Sequence, residues 1–320
     1  MGALEYIKNV GIKQIIRNGI QYAIGLGTIQ EEIDSLYYYL NSYCDITKIP
    51  PTKDINLRLM QLAMVELLRI FDKLCKKHNL KYWLDSGNLI GAVRHNGFIP
   101  WDDDLDVGML REDYDRMYPI FKETLAEYGI LVIEGGIYDD YGYMRRIGFN
   151  YKTAETGVWM DVFPLDRIEG KKEAEDLREE LTIALKKYRK FYRKNEKRLS
   201  VEKLTERKNQ ILSKYPNLSG GDKISYVIAP EFIKKDVYIF PEEVIFPLDT
   251  HLFEGVELPI PRNSDFYLKQ QYNGDYMSFP RFGLEHHNDP DGNSAATRAI
   301  RHNVNMKDVI SYLHSVYEKV

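Results

Sequence analysis

Six residues constrain this chain more than any others: Asp102-Asp103-Asp104-Leu105-Asp106-Val107. Side chains alternate along an extended strand, so Asp102, Asp104 and Asp106 are expected on one face, with Leu105 and Val107 in the core. Like charges spaced this closely repel, and a partly buried carboxylate row is costly without a cation. Just upstream, Tyr82-Trp83-Leu84 fits a short buried strand, followed by the small turn Asp85-Ser86-Gly87-Asn88 and the apolar segment Leu89 to Val93. Free amides where a strand turns into a helix can hold an anion. Together these features predict a divalent-metal site facing a phosphate-holding turn. A solvated acidic turn after Pro100-Trp101 is the competing reading of the carboxylates alone.

The chain has 320 residues, a net charge of −4 and 44% apolar residues. That is ample material for a core, and it argues against a nucleic-acid binder acting through overall charge. Cys44 and Cys75 form neither a metal cluster nor a disulfide framework, so a reducing cytoplasm is the expected location, with Cys75 in the core. No run of ~18 apolar residues is present, so no spanning helix is expected. The first residues do not form a signal peptide: their apolar positions are broken up by Lys8, Lys13 and Arg17. Residues 1–26 instead resemble amphipathic helix, which packs on a protein surface or lies peripherally on the inner face of the membrane.

A second helix is expected from Ile29 to about Tyr43, and Pro50-Pro51 marks a linker. Asp54 is a plausible cap for a helix carrying Leu57, Met60, Met64, Leu67, Phe71 and Leu74 at helical spacing, ending near His78-Asn79. Beyond the acidic strand, a helix is expected from Arg111 to about Tyr128, a strand over Ile130–Ile133, and another within Tyr141–Phe149. Val158–Phe163 forms a further strand with Asp161 set among apolar residues; an unpaired charge there would cost several kcal/mol. A salt bridge to an arginine is the plain structural explanation. Eleven Lys or Arg and three Glu between Lys186 and Lys208 read as a solvated helical face. A hairpin or edge strand is expected near Glu254–Pro261 and a helix over Asp265–Tyr272. His286, His287, Asp289 and Asp291 match no standard metal spacing.

Phosphoryl and nucleotidyl transfer need a divalent cation on phosphate oxygens, donors for developing charge, and an alcohol held in line. The carboxylates supply the first, Ser86 and Gly87 the phosphate contacts, and Arg94, Arg145 and Arg146 the cations. No Walker loop, Gly-x-Ser-x-Gly, HExxH or dinucleotide fingerprint is present.

The run from Leu84 to His95, then Gly97 to Val107, resembles the LicD family, named for bacterial phosphocholine transferases and related to the fukutin-related proteins. The match continues through Arg111–Tyr114, Trp159–Asp166 and Tyr272–Met277. The resemblance implies an α/β (α+β) nucleotidyltransferase-type fold, with a mixed central sheet flanked by helices plus helical additions. It implies a catalytic core over 51–170, between a helical extension (1–50) and a charged helical insertion (171–215), with 216–320 completing the active site.

The family pattern falls on Ser86-Gly87, on Asp104 and Asp106 as metal ligands, and on Asp161 as ligand or general base. Asp102 is a weaker candidate. Mg2+ or Mn2+ is the implied cofactor. Asn88 stands where many members carry Thr and is expected to hydrogen-bond phosphate. The implied reaction takes a CDP-linked donor, attacks its distal phosphorus with a glycan hydroxyl, releases CMP and leaves phosphocholine or an alditol phosphate on the glycan. Arg94 and Arg146 are the expected substrate cations, and Trp101, Tyr272 and Tyr276 the candidate cage for a choline cation. Attack at the α-phosphorus, a catalytically inactive glycan- or nucleotide-binding module, and a membrane scaffold are the rival readings.

Overall fold

The computed structural model describes residues 26–134, 145–152, 154–168, 174–195, 197–212, 221–225, 238–272, 275–280 and 304–320. The chain divides into two compact units: the described parts of Met1–Lys48 with Met277–Phe282, and of Ile49–Tyr276 with Gly283–Val320. The smaller unit holds helix α1 (Leu26–Tyr43), three residues longer at its start than the spacing predicts, and a 3-10 turn at Ile46–Lys48. Residues 1–25, the strand candidate before Arg145, the Arg145 side chain and the His286–Asp291 stretch lie outside the described residues.

The larger unit begins with α2 (Ile55–His78). Asp54 caps it as its sequence position predicts, accepting from the amides of Asn56 at 2.9 Å and Leu57 at 3.2 Å. Asn79 ends it in the left-handed conformation at φ 51°. Met60, Met64, Leu67, Phe71 and Leu74 are buried, and so is Cys75, whose thiol burial pushes well up.

Next come β1 (Trp83–Leu84), α3 (Ser86–His95), β2 (Asp106–Leu110), α4 (Arg111–Ala126), β3 (Ile130–Glu134), β4 (Arg145–Tyr151) and β5 (Ala154–Ile168). These strands form a mixed sheet in the order β1-β2-β5-β4-β3, in which β2 and β5 run parallel and the other neighbours antiparallel. The α/β architecture with a mixed sheet is therefore as the sequence implied.

One expectation changes. The acidic strand starts only at Asp106; Asp102–Leu105 is irregular backbone, entered by a turn in which the Asp102 amide donates to the Ile99 carbonyl at 2.9 Å. The Gln61 amide group on α2 then holds the Asp102 carbonyl at 2.9 Å, and only at Leu105, whose carbonyl accepts from the Asp161 amide at 2.7 Å, does the backbone join β5. Leu105 and Val107 are fully buried as expected.

Helices α5 (Ala174–Asn195) and α6 (Val201–Leu212) make up the charged region, and β6 (Lys223–Ser225) with β7 (Ile239–Pro241) extends the sheet from the far end of β5. After the single helical turn α7 (Glu242–Ile245) comes the hairpin β8 (Asp249–Phe253) and β9 (Val256–Ile260). Its tip is Glu254-Gly255, both at positive φ, the conformation that a tight two-residue hairpin turn requires. Glu254 is anchored by Arg58 through two contacts of 2.9 and 2.6 Å. Helix α8 (Ser264–Gln271) packs on α3, and α9 (Met306–Lys319) packs on α2.

Candidate active site

Register decides where the carboxylates go. Asp106 on β2 lies opposite Asp161 on β5, and Asp161 lies opposite Arg146 on β4. Leu84 pairs with Val107, and the Asp85 amide donates to the Asp106 carbonyl at 3.1 Å, so Asp85 follows beside Asp106. Asp106, Asp161 and Arg146 thus form a row across β2, β5 and β4, continued by Asp85 just past the end of β1, about 14 Å in all at the usual strand spacing. Side chains directly opposite one another in a sheet point to the same face. Asp104 precedes this row, and its charge acts on both Asp102 and Asp106.

Asp85 had no assigned part in the sequence reading beyond its place in the turn. It is fully buried, caps α3 by accepting from the Ser86 amide at 2.7 Å, and also accepts from the Tyr267 hydroxyl at 3.1 Å and the Gln271 amide at 3.0 Å. Trp83 Nε1 in turn donates to the Tyr267 oxygen at 3.3 Å. Two residues four apart on α8 therefore clamp the turn that precedes α3. An Asp directly before a Ser that opens a helix is the signal that would have found Asp85.

The phosphate-turn residues are placed differently from expectation. The Ser86 amide is engaged by Asp85, and Ser86 itself holds a left-handed φ of 48°. A Cβ added to Gly87 would stand 2.8 Å from an Asp102 carboxylate oxygen, so glycine is what lets Asp102 approach the turn. Asn88 is fully buried; its Oδ1 accepts from the Asp106 amide at 2.5 Å and its Nδ2 donates to the Asp104 carbonyl at 3.3 Å. Its amide group braces the acidic segment.

Asp161 is 6% exposed, and Arg146 grips both its oxygens at 2.6 Å while lying 4.6 Å over the Trp159 ring. Burial raises the Asp161 carboxyl and Arg146 pulls it back. Burial, followed by the charges of neighbouring aspartates, pushes Asp102 and Asp106 well above the usual carboxylate range. Among the described residues, no three Asp, Glu, His or Cys side chains converge on a common point for a metal as placed.

Arg94 is buried, donates to the Tyr276 carbonyl at 2.8 Å and to His95 Nε2 at 2.9 Å, and is drawn down to about 10 by burial. The charges of Asp102 and Tyr272 act on it in the opposite sense, which places it at the edge of the acidic cluster. Its guanidinium is 6.0 Å from the ring of Trp101, which is half-buried.

Tyr276 is 7% exposed with its hydroxyl on Asp265 at 3.2 Å; it is a core aromatic, and the expected cage role does not suit it. Tyr272 differs. Its side chain is 43% exposed, while burial of its hydroxyl, then the charges of Asp106, Asp85, Asp102 and Asp104, push that group well above 10. It presents a ring to solvent with its polar end among the carboxylates.

Residues 79–195 match the family model described as LicD/FKTN/FKRP, nucleotidyltransferase domain. The lipopolysaccharide cholinephosphotransferase LicD of Haemophilus influenzae is 29% identical over 252 residues, which is 71% of this chain and 94% of that protein. The human ribitol 5-phosphate transferase FKRP is 41% identical over 74 residues, 23% of this chain and 14% of that protein. An uncharacterised protein of Rickettsia typhi is 46% identical over 65 residues, 19% of this chain and 21% of that protein. The likeness to the bacterial transferase thus runs along most of that protein, while the likeness to FKRP covers a short stretch.

Proposed function

We propose that the protein transfers a phospho-group, phosphocholine or an alditol phosphate, from a CDP-linked donor to a hydroxyl of a cell-surface glycan, releasing CMP. The observation that carries this reading is the row of carboxylates on one sheet face beside the capped start of α3. The likeness to the cholinephosphotransferase along 94% of that protein's length supports the reaction class.

Hard oxygen donors whose ionisation is opposed by burial and by one another suit a small divalent cation such as Mg2+ or Mn2+. Asp104 and Asp106 would hold it. When bound, such an ion neutralises charge on phosphate oxygens as the phosphorus–oxygen bonds exchange. The rest falls to the chain's own groups. Asn88 and Gln61 fix the acidic segment, so its carboxylates need little rearrangement for the reaction. Arg146, at the end of the row, is the cation that would meet donor phosphate, and Tyr272 offers the exposed aromatic face to the transferred group. Asp161, once off Arg146, would serve as the third ligand or take the proton of the attacking hydroxyl.

The test is incubation with CDP-choline, CDP-ribitol or CDP-glycerol plus an acceptor glycan extract, scoring CMP with and without Mg2+. Metal-dependent CMP release with one donor, lost in Asp106→Asn, is the expected result. Pyrophosphate in place of CMP would point to attack at the α-phosphorus, and silence with all three donors would sink the donor assignment.

A further inference from the structure

Resting on that reading, we infer that Arg146 is an exchangeable partner for Asp161: it holds the carboxylate until donor phosphate draws the guanidinium away, and Asp161 then turns to the cation at Asp104 and Asp106. Three placements carry this. Arg146, Asp161 and Asp106 are direct neighbours on strands β4, β5 and β2, with side chains on one face. Both oxygens of Asp161 accept from Arg146, so turning the carboxylate toward a metal at Asp104 and Asp106 means loosening that pair. The guanidinium also lies on Trp159, two residues before Asp161 on the same strand face, an aromatic surface along which a planar cation can shift and stay stacked.

Charge balance makes the exchange a coupled one. The Asp161 and Arg146 side chains are only 9% and 13% exposed. Removing either partner of such a pair leaves an uncompensated buried charge, which is strongly unfavourable. Arg146 can leave only if an anion receives it, and Asp161 can be left only if a cation replaces it. Phosphate and metal therefore favour each other's binding, and by linkage each raises the other's affinity by the same factor. Arg146 is in this account a positioning residue: in the free protein it withholds the third carboxylate.

The experiment titrates Mn2+ by electron paramagnetic resonance, with and without CDP as the phosphate probe, in wild type, Arg146→Met, Asp161→Asn and Asp106→Asn. CDP binds Mn2+ by itself, so the quantity to read is the difference in CDP enhancement between variants. Wild type should bind Mn2+ weakly alone and gain an enhancement at least roughly fivefold larger than Arg146→Met shows. Arg146→Met alone should bind Mn2+ at least about fivefold more tightly than wild type. Asp161→Asn should stay weak and lack the extra enhancement.

Thermal melting gives a second readout. Arg146→Met should melt lower than wild type without metal and recover more on adding Mn2+. If Arg146→Met does not fold, Arg146→Lys, which keeps one point charge in place of the bidentate fork, should show both effects at smaller size. Equal Mn2+ affinity and equal CDP enhancement in wild type and Arg146 variants would overturn the exchange and leave the metal reading standing, provided Asp106→Asn still weakens binding. Absence of Mn2+ binding in wild type with CDP present would overturn both.

Discussion

At the scale of single residues, the site is built of groups held in unfavourable states, and their titration should reveal it. Asp102 and Asp106 start from an ordinary value of 3.8 and are raised well above it in the fold. A raised folded value means that their contribution to stability is full below 3.8 and is lost as pH rises through the folded value. His95 works in the opposite sense: burial, then Arg94, lowers it from 6.5 to about 4, so its contribution is lost as pH falls across that interval. The difference between a variant and wild type isolates the carboxylate. In the presence of EDTA, Asp106→Asn should be more stable than wild type at pH 8 in urea denaturation, with the gap closing toward pH 4. It should be inactive throughout. A gap that stays constant with pH would refute the strained-carboxylate account. Gly87→Ala tests the neighbouring contact: the new methyl must displace the Asp102 carboxylate, and turnover should fall by about tenfold or more, because a misplacement near 1 Å costs that and beyond. Unchanged turnover would show that Asp102 can move without consequence.

At the scale of elements, the strand–turn–helix of β1 and α3 is held from both sides. Asn88 fastens it to the start of β2, and Tyr267 with Gln271 fastens it to α8. Asn88→Ala leaves the Asp106 amide and Asp104 carbonyl without this partner, and a buried polar group so treated costs about 1–3 kcal/mol. The stability loss should come with reduced turnover, since the acidic segment is what Asn88 aligns; a loss of stability alone would make Asn88 a core residue only. Tyr267→Phe should cost about 1–3 kcal/mol in the same measurement, because it strips a donor from buried Asp85.

These clamps also show what could be read from the sequence. Helix α2 was legible to its ends, because Asp54, the apolar spacing and Asn79 are local signals. The middle of β5 was legible as an apolar run interrupted by aspartate. The Asp161–Arg146 pair appeared only as the general expectation that some arginine would answer a buried charge. The task of Asn88 was not legible, since one amide can serve phosphate or backbone equally and only the fold selects. Nor were Tyr267 and Gln271, which lie 182 and 186 residues from Asp85 along the chain. The Asp102–Leu105 stretch was misread as strand because alternation was the only local cue, and its supports include Gln61 on α2 and Asn88 on α3, neither of them adjacent in sequence.

At the scale of the molecule, stability and chemistry are drawn from different parts of the larger unit. The row of charges lies on the sheet beside α3, whereas α9 packs on α2 with Val309, Leu313 and Val316 fully buried. Arg69 stacks 4.1 Å over the Tyr317 ring and Lys73 donates to the Tyr317 carbonyl at 2.7 Å, so the last helix is fixed by polar contacts as well as apolar ones. Residues of this contact touch none of the aspartates of the row in the bonds described above. Leu313→Ala should therefore lower stability by about 2–5 kcal/mol, the usual cost of emptying a buried leucine site. It should leave the KM for donor and the pH profile of turnover unchanged at temperatures well below melting. Arg146→Met should do the reverse in part, altering Mn2+ affinity and turnover together with its stability loss. If Leu313→Ala shifted the Mn2+ titration as strongly as Arg146→Met, the row would be responding to the packing of the whole unit, and the strands around Asp161 would not be the rigid frame that their register implies.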